Sequence, residues 1–391
     1  MLNWGNYLWL IWMLTSLSFL RFYIYVIGYR KKIIGKPMKR RFRTPEIIFQ
    51  ITTKGNIPIV QETVDRVNEV CQRIEYNKYE IWVVTDAKEE FRCCRTIRVP
   101  GDYSCNAIFK GRALQYAVEI RKSEGKNDVR TYLYHLDDES LVTEQTICSI
   151  LSFLEDNPAP ISEGLIVYPL AKNDAMKLAN FFDTIRPFCC FECVSFMSRG
   201  NPAYVHGSNL LVRSDVEEQV GWNNGKTIAE DSLFAIKARQ KLGSNLFGWH
   251  GGVLEEKSPH NVRDIVTQRK RWFYGLIQNL KYLDLKDRVL QVIRALLWAS
   301  GFVSGIVSIF SFFIYQDILF GLRIFFLIAC ILWLLSYQVG AYLNSKKLSR
   351  LKRLKFHLIT LFLSPIVGLF ECSIPILSLF RKPRTFELVE K

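Results

Sequence analysis

The stretch Thr131–Val142, TYLYHLDDESLV, decides the fold. An apolar, aromatic run, Tyr132 to Leu136, ends abruptly in three carboxylates, Asp137, Asp138 and Glu139. A buried strand that delivers acids at its carboxyl end is how an open α/β sheet places chemistry, because ligands bind along that edge. In an extended segment residues i and i+2 face the same way. Asp137 and Glu139 would then share one cation, and Asp138 would point to the other face. Oxygen-only ligands suit hard ions such as Mg²⁺ or Mn²⁺, which in turn hold diphosphates. A solvated acidic turn is the competing reading of the same residues.

Working outward, the flanking chain alternates between strand and helix patterns. Glu46 to Thr53, EIIFQITT, reads as a strand ending in the turn Lys54-Gly55-Asn56. Val60, Val64, Val67, Val70 and Ile74 follow with helical spacing. Glu80 to Thr85, EIWVVT, is a second strand ending in Asp86, and Asn106 to Ile120 is a helix led by Lys110-Gly111-Arg112. This alternation predicts a parallel or mixed sheet with right-handed crossovers. Beyond the acidic strand, Ala179 to Phe196 is rich in Phe and Cys; it reads either as a core helix or as an element beside a membrane. His206-Gly207-Ser208-Asn209 is a turn leading into Leu210 to Val212, and Thr227 to Asp231, TIAED, opens a helix.

The rest of the chain belongs to a bilayer. Tyr7 to Gly28 is an apolar run of 22 residues, interrupted at Arg21, and is long enough to span as a helix. Neither a positive leader nor a small-residue cleavage site marks it as a signal peptide. Of the formal net charge of +15, much sits in two blocks: eight of the fourteen residues from Arg30 to Arg43, and six of the eleven from Ser345 to Lys355. Both abut apolar runs, as positive-inside flanks do. That context sets aside a nucleic-acid partner. Leu296 to Tyr315 and Ile318 to Leu343 read as a spanning hairpin. His357 to Phe380 contains Pro365, Glu371 and Pro375; charge balance favours a re-entrant or interfacial pair of short helices, with a fourth span as the alternative. The predicted organisation is a spanning helix with its basic flank (1–43), a cytoplasmic α/β domain (44–263), amphipathic interface helices carrying QRKRW (264–291), a membrane region (292–380) and a cytoplasmic tail (381–391).

Ten cysteines in largely apolar contexts suggest reduced thiols. Cys189, Cys190 and Cys193 look like half a metal site, but no second Cys or His pair stands at zinc spacing, so core packing is the better reading. There is no Walker A loop, no GxGxxG opening a helix, no GxSxG and no HExxH, which removes several large enzyme classes.

Strand-end Asp86, Lys110 at a helix start, Asp137-Asp138-Glu139, Glu230-Asp231 and Gln268 to Trp272 (QRKRW) stand in one order, followed by membrane helices. Together they resemble the membrane-bound family 2 glycosyltransferases, the group containing cellulose, chitin and hyaluronan synthases. QITTKGN (50–56), IFKGRALQYA (108–117), HLDDESLVTE, HGSNLLVRSDVE and QRKRWFYG look most like the egghead-type β-1,4-mannosyltransferases. FELVEK (386–391) looks like the family's cytoplasmic gating loop.

The resemblance implies a GT-A domain using Mn²⁺ or Mg²⁺. Its donor would be a nucleotide sugar, GDP-mannose favoured and a UDP-sugar the alternative, and its acceptor a glycan or lipid-linked sugar. Asp137 and Glu139, with His250 of GWHGG as a third contact, would hold the metal; family members usually carry Asp where Glu139 stands. Asp86, Lys110, Asp138, Gln268 and Arg271 would bind the donor. His206, Gly207, Ser208, Glu230 and Trp272 would bind the acceptor, Trp272 offering an apolar ring face to the sugar. Asp231 would be the general base of a single inverting displacement. A processive polysaccharide synthase and a non-catalytic membrane scaffold are the rival readings. The Phe-rich helix and the Gln268 to Leu283 helix would border the acceptor's entry.

Overall fold

The computed structural model describes residues 33–35, 45–156, 159–171, 176–202, 204–314 and 320–380. The first predicted span, both ends of the first basic block and the FELVEK tail lie outside these residues.

Seven strands form one mixed sheet in the order β3-β2-β1-β4-β6-β5-β7: β1 (Glu46–Thr53), β2 (Tyr79–Thr85), β3 (Arg95–Arg98), β4 (Thr131–Leu136), β5 (Ile161–Val167), β6 (Leu210–Arg213) and β7 (Phe247–Glu255). β1 pairs in parallel with β2 and β4, and β5 with β7, while β6 runs antiparallel to both its neighbours. The carboxyl ends of β1, β2, β4, β5 and β7 therefore share one edge. Thr53, Asp86, Asp137, Tyr168 and Glu256 all emerge there. Because β6 runs the other way and its Leu210 sits opposite His135, the preceding turn His206-Gly207-Ser208 reaches the same edge. Antiparallel β6 thus adds a turn to a row of strand ends.

Helices cover both faces. On one, α1 (Ile57–Arg73) lays Val60, Val64, Val67 and Val70 against Phe49, Val83 and Tyr134. On the other, α2 (Phe109–Ser123) packs Ala117 near Trp82, Val84 and Leu133. The turn after β4 is followed by α3 (Glu144–Asp156). The Phe-rich segment is two helices, α4 (Leu178–Phe182) and α5 (Arg186–Met197). After β6 come α6 (Ser214–Val220) and α7 (Glu230–Leu242), then, beyond β7, α8 (Val262–Asn279). The chain closes with α9 (Leu285–Ile314), α10 (Phe320–Asn344) and α11 (Arg350–Phe380).

Among the described residues, three helices are long and apolar enough to cross a membrane, within Leu285–Ile306, Leu327–Asn344 and Arg350–Phe380. The predicted boundary between interface and membrane regions at 291/292 falls inside α9, which runs unbroken from Leu285. The predicted pair of short re-entrant helices is likewise corrected: α11 is one helix of 31 residues with Pro365 and Pro375 inside it. Two of its awkward residues are accommodated locally. A proline at 365 leaves the carbonyl of Leu361 without its helical N–H, and Ser364 Oγ donates to that oxygen at 3.4 Å. Glu371 accepts from Arg269 Nε at 2.7 Å.

The apolar helices are joined tightly to the sheet domain. Phe181 stacks on Phe356 with centroids 4.8 Å apart, within a cluster that includes Phe182, Ile265 and Tyr337. A Cβ on Gly340 would collide with the carbonyl of Thr184, so α10 passes the sheet domain backbone to backbone.

Candidate active site

A cavity of about 1080 Å³ opens along the carboxyl edge of the sheet and runs down between α8, α9, α10 and α11. Its upper wall carries Asp86, Lys110, Asp137, Asp138, Glu139, His206, Gly207, Ser208, Glu230, Asp231, Gln268, Arg271 and Trp272. Of the fourteen site residues inferred from the sequence, His250 alone does not line it.

The three acids leave the strand before they reach the cavity. β4 ends at Leu136, and Asp137 to Ser140 form a turn in which the N–H of Ser140 donates to the carbonyl of Asp137 at 3.2 Å and the N–H of Asp137 donates to Ser140 Oγ at 3.1 Å. Strand alternation therefore does not govern their directions, and Asp138 lines the cavity with the others. Thr63 Oγ1 donates to the carbonyl of Asp138 at 2.6 Å, and Thr53 Oγ1 to its carboxylate at 3.4 Å. Two threonines thus pin the turn from the β1–α1 side.

Lys110 ties the two acid clusters together. Its ammonium pairs with Asp137 and donates to the carbonyl of Gly207 at 3.0 Å. A Cβ on Gly207 would stand 3.0 Å from that ammonium and 3.2 Å from Asp231 Oδ2. A residue without a side chain is what lets the β6 turn lie between them. Burial works to lower the Lys110 pKa, but the charges of Asp137, Glu230 and Asp231 outweigh it and hold it above its ordinary value.

Glu230 and Asp231 open α7, where the helix dipole favours negative charge. Ser232 N–H donates to Asp231 Oδ1 at 2.7 Å. Burial nevertheless raises both carboxyls above their ordinary values, and for Glu230 the neighbouring charge of Asp231 adds to the effect. A carboxylate held in this way is a stronger base than one in water.

One residue of the site was not inferred from the sequence. Glu256, buried just beyond β7, accepts from Ser208 Oγ and, at 3.2 Å, from Tyr168 hydroxyl. Burial and then the charge of Asp137 raise its pKa. Within LEEKSP it resembles a charged surface turn, and only the strand order brings it beside the acids.

Two inferred residues have surroundings that the sequence did not suggest. His250 is 2% exposed; its Nε2 lies 3.3 Å from the carbonyl of Asn209 and its Nδ1 accepts from Gly252 N–H at 3.0 Å. With both nitrogens engaged behind the cavity wall, it is not a metal ligand. Burial accordingly pushes its pKa down to about 3. Trp272 lines the cavity, but the guanidinium carbons of Arg186 and Arg269 each lie 4.1 Å from its ring centroid. Two guanidinium groups thus lie over the ring that was expected to meet the acceptor sugar.

The QRKRW motif itself divides. Arg269 is fully buried and holds Asp183 at 2.5 Å and Glu371 at 2.7 Å, bracing α8 between the sheet domain and α11. Arg271 faces the cavity, where burial lowers its pKa against the raising charges of Asp137, Glu230 and Asp231.

The donor set fits a hard divalent cation. Asp137, Asp138, Glu139 and Glu256 bring carboxylates to one wall of the cavity, an oxygen-only set of the kind such an ion takes.

The chain matches Glycosyl transferase family group 2 over residues 132–344. It is 30% identical over 275 residues to the β-1,4-mannosyltransferase egh of Drosophila melanogaster, covering 66% of this chain and 58% of that protein. It is 28% identical over 374 residues to the β-1,4-mannosyltransferase bre-3 of Caenorhabditis elegans, covering 89% of this chain and 79% of that one. The fold is similar to the mannosyltransferase PcManGT of Pyrobaculum calidifontis, solved in complex with GDP-Man and Mn²⁺: TM-score 0.51, 14% identity, covering 96% of this chain and all of that one.

Proposed function

The chain belongs to glycosyl transferase family group 2, and on that premise we propose that it is an inverting, metal-dependent β-1,4-mannosyltransferase. It moves mannose from GDP-mannose to a sugar hydroxyl carried on a lipid. The observation that carries this reading is the convergence of Asp137, Lys110, Gly207 and Asp231 on one cavity that continues between apolar helices.

The donor sits at the sheet edge. Asp86 meets the nucleoside, Lys110 and Arg271 meet the diphosphate, and Gln268 lies beside them. Asp137 and Glu139 would hold Mn²⁺ or Mg²⁺, which would supply positive charge to the leaving diphosphate. Asp231 takes the proton of the acceptor hydroxyl as its oxygen bonds the anomeric carbon opposite the departing diphosphate. One displacement turns an α-linked donor into a β-linked product. Glu230, one residue away, meets the acceptor, while burial, with the charge of Asp137 adding to it, keeps Asp231 basic. The lower cavity, with Ile293, Leu297, Trp298, Trp333 and Leu369, offers an apolar path for the acceptor's lipid chain. Helices Leu285–Ile306, Leu327–Asn344 and Arg350–Phe380 hold that path in the bilayer, with the sheet domain on the cytoplasmic side.

The test is transfer by the purified protein in detergent, offered GDP-mannose and a series of UDP-sugars with a glucosyl lipid as acceptor. A single β-1,4-linked mannose, lost in EDTA and restored by Mn²⁺ or Mg²⁺, is the expected product. Transfer only from a UDP-sugar, a long polymer, or full activity in EDTA overturns the reading.

A further inference from the structure

We propose that Glu163, Cys193 and His206 form a second metal site, for a borderline ion of the zinc type, behind the wall of the cavity. Glu163 comes from β5, Cys193 from α5 and His206 from the turn before β6. One ligand atom from each lies within 4.8 Å of the other two.

Glu163 is 0% exposed, and among the described residues no lysine or arginine pairs with it. Its Oε1 accepts the backbone N–H of His206, while its Oε2 has no hydrogen-bond partner. His206 Nδ1 lies 3.3 Å from Glu163 Oε1, yet it too is buried without a hydrogen bond. The nitrogen and the carboxylate are close, but neither is aimed at the other as donor and acceptor. Two buried polar groups without hydrogen-bond partners, gathered within 4.8 Å of a thiol, have the composition of a ligand set. A buried carboxylate with an orphaned oxygen is costly unless a cation meets it. One nitrogen, one sulfur and one carboxylate oxygen make a donor set suited to Zn²⁺ and poorly suited to Mg²⁺. The site is therefore chemically distinct from the oxygen-only wall at Asp137.

The residues come from three elements, and the helix and strand among them also pack together through Phe188, Phe191 and Ile166. A cation here would fasten α5 and the His206 turn to β5, fixing the wall that carries Gly207 and Ser208. Cys190, on the same helix and also buried, is one of the apolar cluster around Ile166 and Phe188 and is not a ligand.

The test uses the full chain in detergent, stripped of metal and then desalted after incubation with one equivalent of Zn²⁺ in excess Mg²⁺. About one zinc should remain per chain by elemental analysis. Co²⁺ in its place should give the near-ultraviolet charge-transfer band of a thiolate ligand. Cys193→Ser should abolish that band, and Cys193→Ser and Glu163→Gln should each weaken zinc binding at least about tenfold. Cys190→Ser should retain zinc and band alike. No retained zinc in the wild type, a Co²⁺ spectrum without the thiolate band, or equal loss in Cys190→Ser overturns the assignment. The readout is metal content, so it stands or falls separately from sugar transfer.

Discussion

Two groups of buried carboxylates meet the opposite ends of α2, through Lys110 and Arg121, and they are treated in opposite ways. Beneath the sheet, Glu217 is 0% exposed and pairs with Arg121, itself 0% exposed, whose other arm donates to Gln50. His135 Nε2 approaches it at 2.9 Å, and Trp222 Nε1 donates to it at 2.7 Å. Burial alone would raise its pKa, but Arg121 and His135 outweigh burial and bring it down to about 2. At the cavity, Glu230 and Asp231 share one lysine with Asp137, and burial prevails: both carboxyls rise. The first arrangement spends its cation on holding the fold. The second leaves basicity unsatisfied where a proton has to be taken.

The largest expected effect falls on the second group. Asp231→Asn removes the proton acceptor but keeps the shape and the bond from Ser232, and a positioned base contributes about 10²–10⁴ in rate. Turnover should fall by that factor while GDP-mannose binding, read by calorimetry, stays near wild type. Turnover like wild type would remove Asp231 from the base role. In the first group the loss is of stability instead. Arg121→Met strands Glu217, and breaking a buried pair costs about 3–5 kcal/mol. Thermal unfolding in detergent should show that loss, and Arg121→Met with Glu217→Gln should recover most of it. No loss in the single variant would mean that Glu217 is compensated by His135 and Trp222 alone.

Glu256 lies between these extremes, hydrogen-bonded like the first group and raised like the second. Glu256→Gln replaces one of the two acceptor oxygens by an NH2 group, so only one of Ser208 and Tyr168 keeps its acceptor. An orphaned buried hydroxyl costs about 1–3 kcal/mol. If that cost appears in the transition state, kcat/KM falls about 5- to 150-fold. Unchanged kcat/KM with reduced thermal stability would assign Glu256 to the first group.

The contrast also explains what could be read from the chain. The parallel half of the sheet was legible because EIIFQITT and EIWVVT are apolar, uninterrupted and bounded by turns, and the structure keeps them as β1 and β2. β5 and β7 were not. ISEGLIV buries Ser162 and Glu163, and FGWHGGVLE carries three glycines, so neither has the pattern of a core strand. Their burial is set by neighbours distant in sequence. The same limit hid Glu256 and separated Cys193 from Glu163 and His206. Residues at strand ends were visible as motifs; their partners across the edge were fixed only by strand order. α11 was misread for a related reason, since Pro365 and Glu371 look like breaks until Ser364 and Arg269 are placed beside them.

The smallest effect separates the two groups by pH. Glu217 is depressed, so the stability it contributes is present above its unfolded value, about 4.3, and is lost as pH falls through about 2. Glu230 and Asp231 are raised, so their contribution is present below the unfolded carboxylate values and is lost as pH rises through their folded values. Ionising the pair should therefore lower stability, and with it the unfolding temperature, over the same rise in pH that switches on transfer. The apparent pKa of that limb belongs to the pair rather than to either residue. It should lie above the ordinary carboxylate range in kcat/KM. Asp231→Asn should flatten the dependence of unfolding temperature on pH in that window while leaving the acid-side loss at Glu217 in place. An unfolding temperature that declines equally in wild type and variant would show that the pair is not held above its ordinary values, and with it would go the argument that burial makes Asp231 basic.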